Sequence, residues 1–284
     1  MASTFRLKRF VVSFARLTRV WNLIIIAFAQ YFTAAFLIDF KTIFDVRLFI
    51  LSTSTVMIAA AGYVINDYYD IKIDLINKPE RVVIGKSITR RYAILFHSLL
   101  SMAGVALGLL LSWKIAAVNL ASAQVLWWYS NSLKRHPFIG NFVVALLTGI
   151  AIWLVDSLYK TGHMLIITYA SFAFFMTLIR EIIKDMEDLK GDDTFGCQTL
   201  PIVWGMRKTK YFIYGILVIF LTTVTLLNFY YANLPIHYFL LFLFAPLVWF
   251  LVRLIGADTQ KDYAWLSSFC KIILLLGIFS MAFI

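Results

Sequence analysis

Gly62 to Arg81, GYVINDYYDIKIDLINKPER, ends an almost uncharged apolar run that is long enough to be a membrane helix. Asn66, Asp70 and Asp74 fall four residues apart, and on a helix that spacing stacks three oxygen-bearing side chains on one face. Such groups repel one another and lose hydration at the end of an apolar helix, so they point to a partner such as a hard divalent cation. A merely solvated helix end would have the same spacing. Against it stand a second acidic array and the basic residues beside each array.

The second array lies in LIREIIKDMEDLKGDDTFGCQTLPI, which begins at Leu178. Glu181, Asp185, Asp188 and Asp192 share one helical face there, with Ile182, Ile183, Met186 and Leu189 elsewhere. Together with Asp67, Glu80, Glu187 and Asp193, the two arrays hold most of the chain's 15 acidic residues. Gly191, Gly196 and Pro201 are expected to break this helix into a loop over the site.

Around these stretches the chain is 62% apolar and only 14% charged over 284 residues, with a mean hydropathy of +0.84. This composition excludes a soluble domain. Nine apolar runs read as spans, near Val20–Ile38, Arg47–Ile65, Tyr92–Ser112, Ile115–Asn131, Ile139–Leu154, Met164–Ile179, Tyr211–Tyr231, Ile236–Ile255 and Trp265–Ile284. Backbone satisfaction in lipid then predicts an all-α integral membrane protein, a bundle of nine transmembrane helices around a central cavity. The first run could be a signal-peptide core, but it is long enough to span and the later loops agree with keeping it. The whole chain, 1–284, reads as one membrane-embedded domain whose first nineteen residues are a basic lead-in.

Nearly all the Lys and Arg fall on the side of the N-terminus and alternate loops, and only Lys41, Arg47, Lys114 and Lys160 fall opposite. The expected topology is multi-pass in the cell membrane, with the N-terminus and both acidic loops cytoplasmic and the C-terminus outside. The net charge of +11 then reflects topology and anionic headgroups, not nucleic acid. Cys197 and Cys270 are too few for a disulfide framework.

In chain order, Phe5, Phe10, Phe14 and Leu17 are expected to lie on the bilayer surface while the lead-in arginines face phosphates. Trp21 is an interface residue by type, and Asn22 is either an interhelical hydrogen-bonding group or a substrate contact. After the first array, NKPERVVIGKSITRR brings Lys78, Arg81 and Lys86 toward the carboxylates. A pure cation site gains nothing from adjacent bases, whereas a metal-bridged diphosphate needs both signs. Span four ends in WWYSNSLKRHP, whose Tyr129, Lys134 and Arg135 emerge on the same side. The arrays end spans two and six, which suggests two related four-helix halves.

NDxxDxxxD at Asn66 to Asp74, YxxxxKR at Tyr129 to Arg135 and DxxDxxxD at Asp185 to Asp192 together resemble the UbiA superfamily of intramembrane prenyltransferases. The resemblance covers essentially the whole chain. It implies Mg²⁺-dependent transfer of a prenyl group from an allylic diphosphate to a lipophilic acceptor, in a cavity open to the bilayer. NDYYDIKIDLINKPER and REIIKDMEDLKGD followed by TLPI look most like the branch that makes digeranylgeranylglyceryl phosphate. The implied partners are geranylgeranyl diphosphate and geranylgeranylglyceryl phosphate.

On that reading Asn66, Asp70 and Asp74 hold one Mg²⁺, and Asp188 and Asp192 a second. Asp185 is a further catalytic candidate as ligand, supporting group or orienter of the acceptor. Asn22, Lys78, Arg81, Tyr129, Lys134 and Arg135 are the candidate substrate contacts, the bases for diphosphate and the Tyr129 ring for an allylic cation. An aromatic acid is the alternative acceptor. A cation transporter is the rival class, disfavoured because both arrays sit at helix ends beside bases and not at the bilayer midplane.

Overall fold

The computed structural model describes residues 11–232 and 243–283, without the side chains of Arg81, Tyr231 and Ala232. The expectations for Phe5 and Phe10, for the Arg81 side chain and for the first part of the eighth span therefore lie outside the described residues. The described chain is helical, with one isolated bridge between Ile84 and Ile88. After a helical stretch at 11–17 come α1 (Val20–Leu37), α2 (Val46–Asn77), α3 (Arg90–Leu111), α4 (Trp113–Asn131), α5 (Ile139–Tyr159), α6 (Met164–Thr194), α7 (Leu200–Leu227), α8 (Ala245–Ile255) and α9 (Gln260–Ser280).

Seven of these are long and apolar enough to cross a membrane among the described residues, not nine. The exceptions are α4, in which Lys114, Asn119 and Gln124 lower the hydropathy, and α8, which has 11 residues.

Among the helices that outrun the bilayer, two carry the acidic arrays. α2 has 32 residues and α6 has 31, or about 48 and 46 Å at 1.5 Å per residue. A hydrocarbon core is about 30 Å thick. The last turns of each helix are therefore surplus to spanning, and each acidic array occupies that surplus. α2 stops where Pro79 withholds an amide, and Pro79 opens a single-turn helix, Pro79–Arg81.

The helices form two compact units. In the first, Met1–Phe28 and Val46–Lys134, α2 packs on both α3 and α4. Gly62, one turn before Asn66, allows α4 to approach: an added Cβ would meet a Leu126 methyl at 2.8 Å. Asn119 Nδ2 ties α4 to α3 by donating to the Gly104 carbonyl at 3.0 Å. The loop after α2 folds back, burying Val83, Ile84 and Ile88 with Leu17, Val64 and Ala93.

Leu17 and Phe14 thus belong to this unit's core and not to a bilayer surface. Leu17 is fully buried and Phe14 meets Phe96 edge-on at 5.1 Å. An amphipathic face has the same pattern whether its apolar partner is lipid or protein, so the spacing alone favoured neither.

In the second unit, Ala29–Asp45 and Arg135–Ile284, α6 packs against α5, α7 and α9. The ring of Phe172 occupies the space where Gly277 of α9 lacks a Cβ. Gly191, expected to break α6, is buried inside it. The helix ends instead at Phe195, and Gly196 takes the left-handed turn with φ of +68°. Pro201 starts α7, where a missing amide costs nothing. Each array is thus carried by the helix with the most neighbours in its unit, and these two are the most buried of the membrane-length helices.

Candidate active site

On α2 the expected face forms. Asn66 Nδ2 donates to Asp70 Oδ2 at 2.9 Å. Lys134 Nζ donates to Asn66 Oδ1 at 3.4 Å and forms an ion pair with Asp70 Oδ1. α4 and the single-turn helix after it, Leu133–Arg135, deliver this lysine. Its placement explains why an acidic face survives at the end of an apolar helix: a mostly buried ammonium compensates it. Asp74 lies one turn further on, and its carbonyl accepts the Lys78 amide at 2.8 Å.

A second cation secures the other edge of this face. Arg19 donates to Asp67 Oδ1 at 2.8 Å and lies over the Tyr63 ring at 5.0 Å, while Asn22 Nδ2 donates to the Tyr63 hydroxyl at 3.3 Å. Burial opposes the guanidinium's charge, but Asp67 and Tyr63 outweigh it and raise the Arg19 pKa. Arg19 pays for this position with a left-handed backbone, φ +52°, a conformation costing on the order of 1–3 kcal/mol at a non-glycine residue. Lys86, expected near the carboxylates, instead donates to the Pro79 carbonyl at 2.8 Å and closes its own loop.

On α6, Asp185 accepts from Asn141 Nδ2 of α5 at 2.8 Å. Asn141 is buried, the one amide in an apolar run, and a polar residue inside a span was the signal by which it could have been found. Glu181 turns out to be buried and paired with its neighbour Arg180. Asp188 and Asp192 are half-buried, and the loop after them is held by Cys197 N–H on the Asp192 carbonyl at 2.9 Å and by Gln198 N–H on the Arg135 carbonyl at 2.8 Å. The Arg135 side chain is exposed, and Tyr129 is half-buried on α4.

Residues 23–277 match the model of the UbiA prenyltransferase family. The chain belongs to that family. It is 33% identical over 270 residues, 94% of each chain, to the digeranylgeranylglyceryl phosphate synthase of Saccharolobus solfataricus. With the synthase of Sulfurisphaera tokodaii the identity is 32% over 253 residues, 88% of this chain and 90% of that one. Among solved structures, that of a digeranylgeranylglyceryl phosphate synthase in membranes aligns with a TM-score of 0.71 at 25% identity, covering 97% of this chain and 99% of the other. A UbiA homolog from Archaeoglobus fulgidus bound to GPP and Mg²⁺ has a TM-score of 0.65 at 15% identity over 96% of this chain and all of that one, a likeness of fold.

The UbiA fold implies Mg²⁺, and the donors on this chain suit it. All are hard oxygens, from the Asn66 amide and from carboxylates, and in the first array two of them already converge on a cation, the Lys134 ammonium. Among the described residues no three Asp, Glu, His or Cys side chains close around one point.

Proposed function

We propose that this UbiA protein transfers a geranylgeranyl group from geranylgeranyl diphosphate to the hydroxyl of geranylgeranylglyceryl phosphate, releasing diphosphate. The observation that carries this reading is the 33% identity to a digeranylgeranylglyceryl phosphate synthase over 94% of both chains, which includes both arrays. In the proposal Asn66, Asp70 and Asp74 hold one Mg²⁺ and Asp188 and Asp192 another. When bound, the ions neutralise the charge that develops on the departing diphosphate.

The chain's own residues do the rest. Lys134, with Lys78, Arg81 and Arg135, binds diphosphate oxygens, and its present hold on Asp70 and Asn66 keeps the ammonium in place for that role. Tyr129 presents its ring to the allylic cation, and Asn22 contacts substrate from the start of α1. Apolar helices exclude water while that cation exists, so that the acceptor hydroxyl adds and not solvent. Asp185, turned by Asn141, orients that hydroxyl or supports the ligands beside it.

In the membrane we propose nine crossings. The seven apolar helices are joined by α4, whose 19 residues reach about 28 Å, and by the stretch ending at Ile255. The N-terminus and both acidic loops face the cytoplasm. Single cysteines at Lys86 and Lys160 should label from opposite faces of oriented vesicles, and labelling from one face would break this topology.

The decisive experiment offers purified protein geranylgeranyl diphosphate and Mg²⁺ with geranylgeranylglyceryl phosphate and, separately, with 4-hydroxybenzoate and a naphthoate. An ether-linked lipid should form only with the glycerol phosphate. C-prenylation of either aromatic acid at a comparable rate would overturn the acceptor while leaving prenyl transfer intact.

A further inference from the structure

The turn between α8 and α9 holds a pocket of about 170 Å³ lined by Val252, Arg253, Gly256, Asp262, Trp265 and Leu266. It lies apart in sequence from every residue assigned above. The Arg253 guanidinium stacks on the Trp265 ring at 4.8 Å and makes no hydrogen bond to a described residue. Its plane is fixed while its donors stay available, the arrangement that suits bidentate capture of a phosphate.

Asp262 sits beside it. Its Oδ2 caps α9 by accepting from the Thr259 hydroxyl at 2.7 Å and from the amides of Thr259 at 2.9 Å and Asp258 at 3.2 Å. Its Oδ1 accepts from no described residue, so one carboxylate oxygen is open to a cationic group. A pocket with one open cation and one open anion fits a ligand that carries both charges.

The surroundings are those of a membrane interface. α8 buries Leu247, Phe250 and Leu254 and exposes Val248, Trp249, Val252 and Ile255 on the other side, so its outer face is apolar up to the pocket. Exposed Trp beside an arginine at the end of such a helix is the composition of a headgroup boundary. Lys210 closes the turn from beneath, donating to the Ile255 carbonyl at 3.3 Å and to the Ala257 carbonyl, which leaves Arg253 as the base of the pocket.

We propose that this pocket binds the headgroup of a zwitterionic phospholipid, its phosphate on Arg253 and its ammonium on Asp262. The site is independent of the prenyl-transfer reading, because it uses none of those residues.

The test is retention of added lipid by the purified full-length protein in native mass spectrometry, comparing phosphatidylethanolamine with phosphatidylglycerol. Wild type should retain phosphatidylethanolamine about tenfold better. Arg253→Ala should lose both lipids, Arg253→Lys should keep part of the binding, and Asp262→Asn should retain both equally. Lys261→Ala, which changes an exposed charge beside the pocket, should behave as wild type, and turnover in detergent should stay within twofold throughout. Equal retention by wild type and both Arg253 variants would overturn the site. So would displacement of the lipid by millimolar inorganic phosphate, which would make it a free-anion site, or equal loss in Lys261→Ala, which would make it general charge.

Discussion

The two acidic arrays solve one physical problem in different ways. On α2, Asp70 is paired with Lys134 and Asp67 with Arg19, so carboxylates at the end of an apolar helix are met by full positive charges from the single turn after α4 and from the residue before α1. On α6, Glu181 is paired with its neighbour Arg180, but Asp185 is met by a neutral amide, Asn141 of α5. A charge partner lowers the cost of ionised oxygen and also offers a contact to an anionic substrate. An amide fixes direction and adds no charge. At Asp70 the arrangement thus compensates charge, and at Asp185 it places an oxygen.

The largest effect expected is common to both. Asp70→Ala or Asp188→Ala should lower turnover by about a thousandfold or more, the scale for losing a group that stabilises charge developing at the reacting centre. Circular dichroism and thermal melting should show both variants folded. Near-normal turnover in either would remove that array from the chemistry.

A smaller pair of effects separates the arrays. Lys134→Ala should raise the KM for prenyl diphosphate by about ten- to a hundredfold, because a charge-assisted contact is lost, and Lys134→Arg should recover part of it. Asn141→Ala should leave that KM within about threefold and lower kcat about tenfold, since Asp185 loses the amide that orients it. If the two variants moved the same parameter, the distinction between charge compensation and positioning would fail.

The arrays were legible because they repeat a helical period in polar residues inside otherwise apolar sequence, where few other patterns compete. Lys134 was visible too, though only as one base among several. Its pairing with Asp70 joins α2 to the turn after α4, a tertiary fact that no spacing encodes. Asn141 and Tyr63 were missed because the partner of each lies on a different helix, and Asn141 is in addition a single amide in an apolar run. At Gly191 a local rule lost to packing, since the cost of glycine in a helix, about 1 kcal/mol, is small beside the burial of the helix that continues through it. The spans of α4 and α8 were read from apolar runs; among the described residues α4 is too polar for the same criterion, and α8 has 11 residues, the first part of its run lying outside them.

The smallest effect concerns the packing that supports the comparison. Gly62→Ala would place a methyl 2.8 Å from a Leu126 methyl, whereas Gly215 on α7 has nothing within 4 Å of an added Cβ. Alanine is the better helix former by about 0.5–1 kcal/mol, so Gly215→Ala should raise the thermal midpoint slightly. At Gly62 the same gain is set against a close-packed contact whose overpacking costs about 1–3 kcal/mol, so the midpoint should fall. Because Leu126 is a side chain and not backbone, the cost should be relieved by shortening it. Gly62→Ala with Leu126→Ala should therefore be more stable than the two single changes predict by addition, a positive coupling measured in a double-mutant cycle. The same cycle read on KM for prenyl diphosphate tests whether this contact sets the position of Lys134. Strict additivity in both readouts would mean that α4 is held against α2 by something other than the glycine.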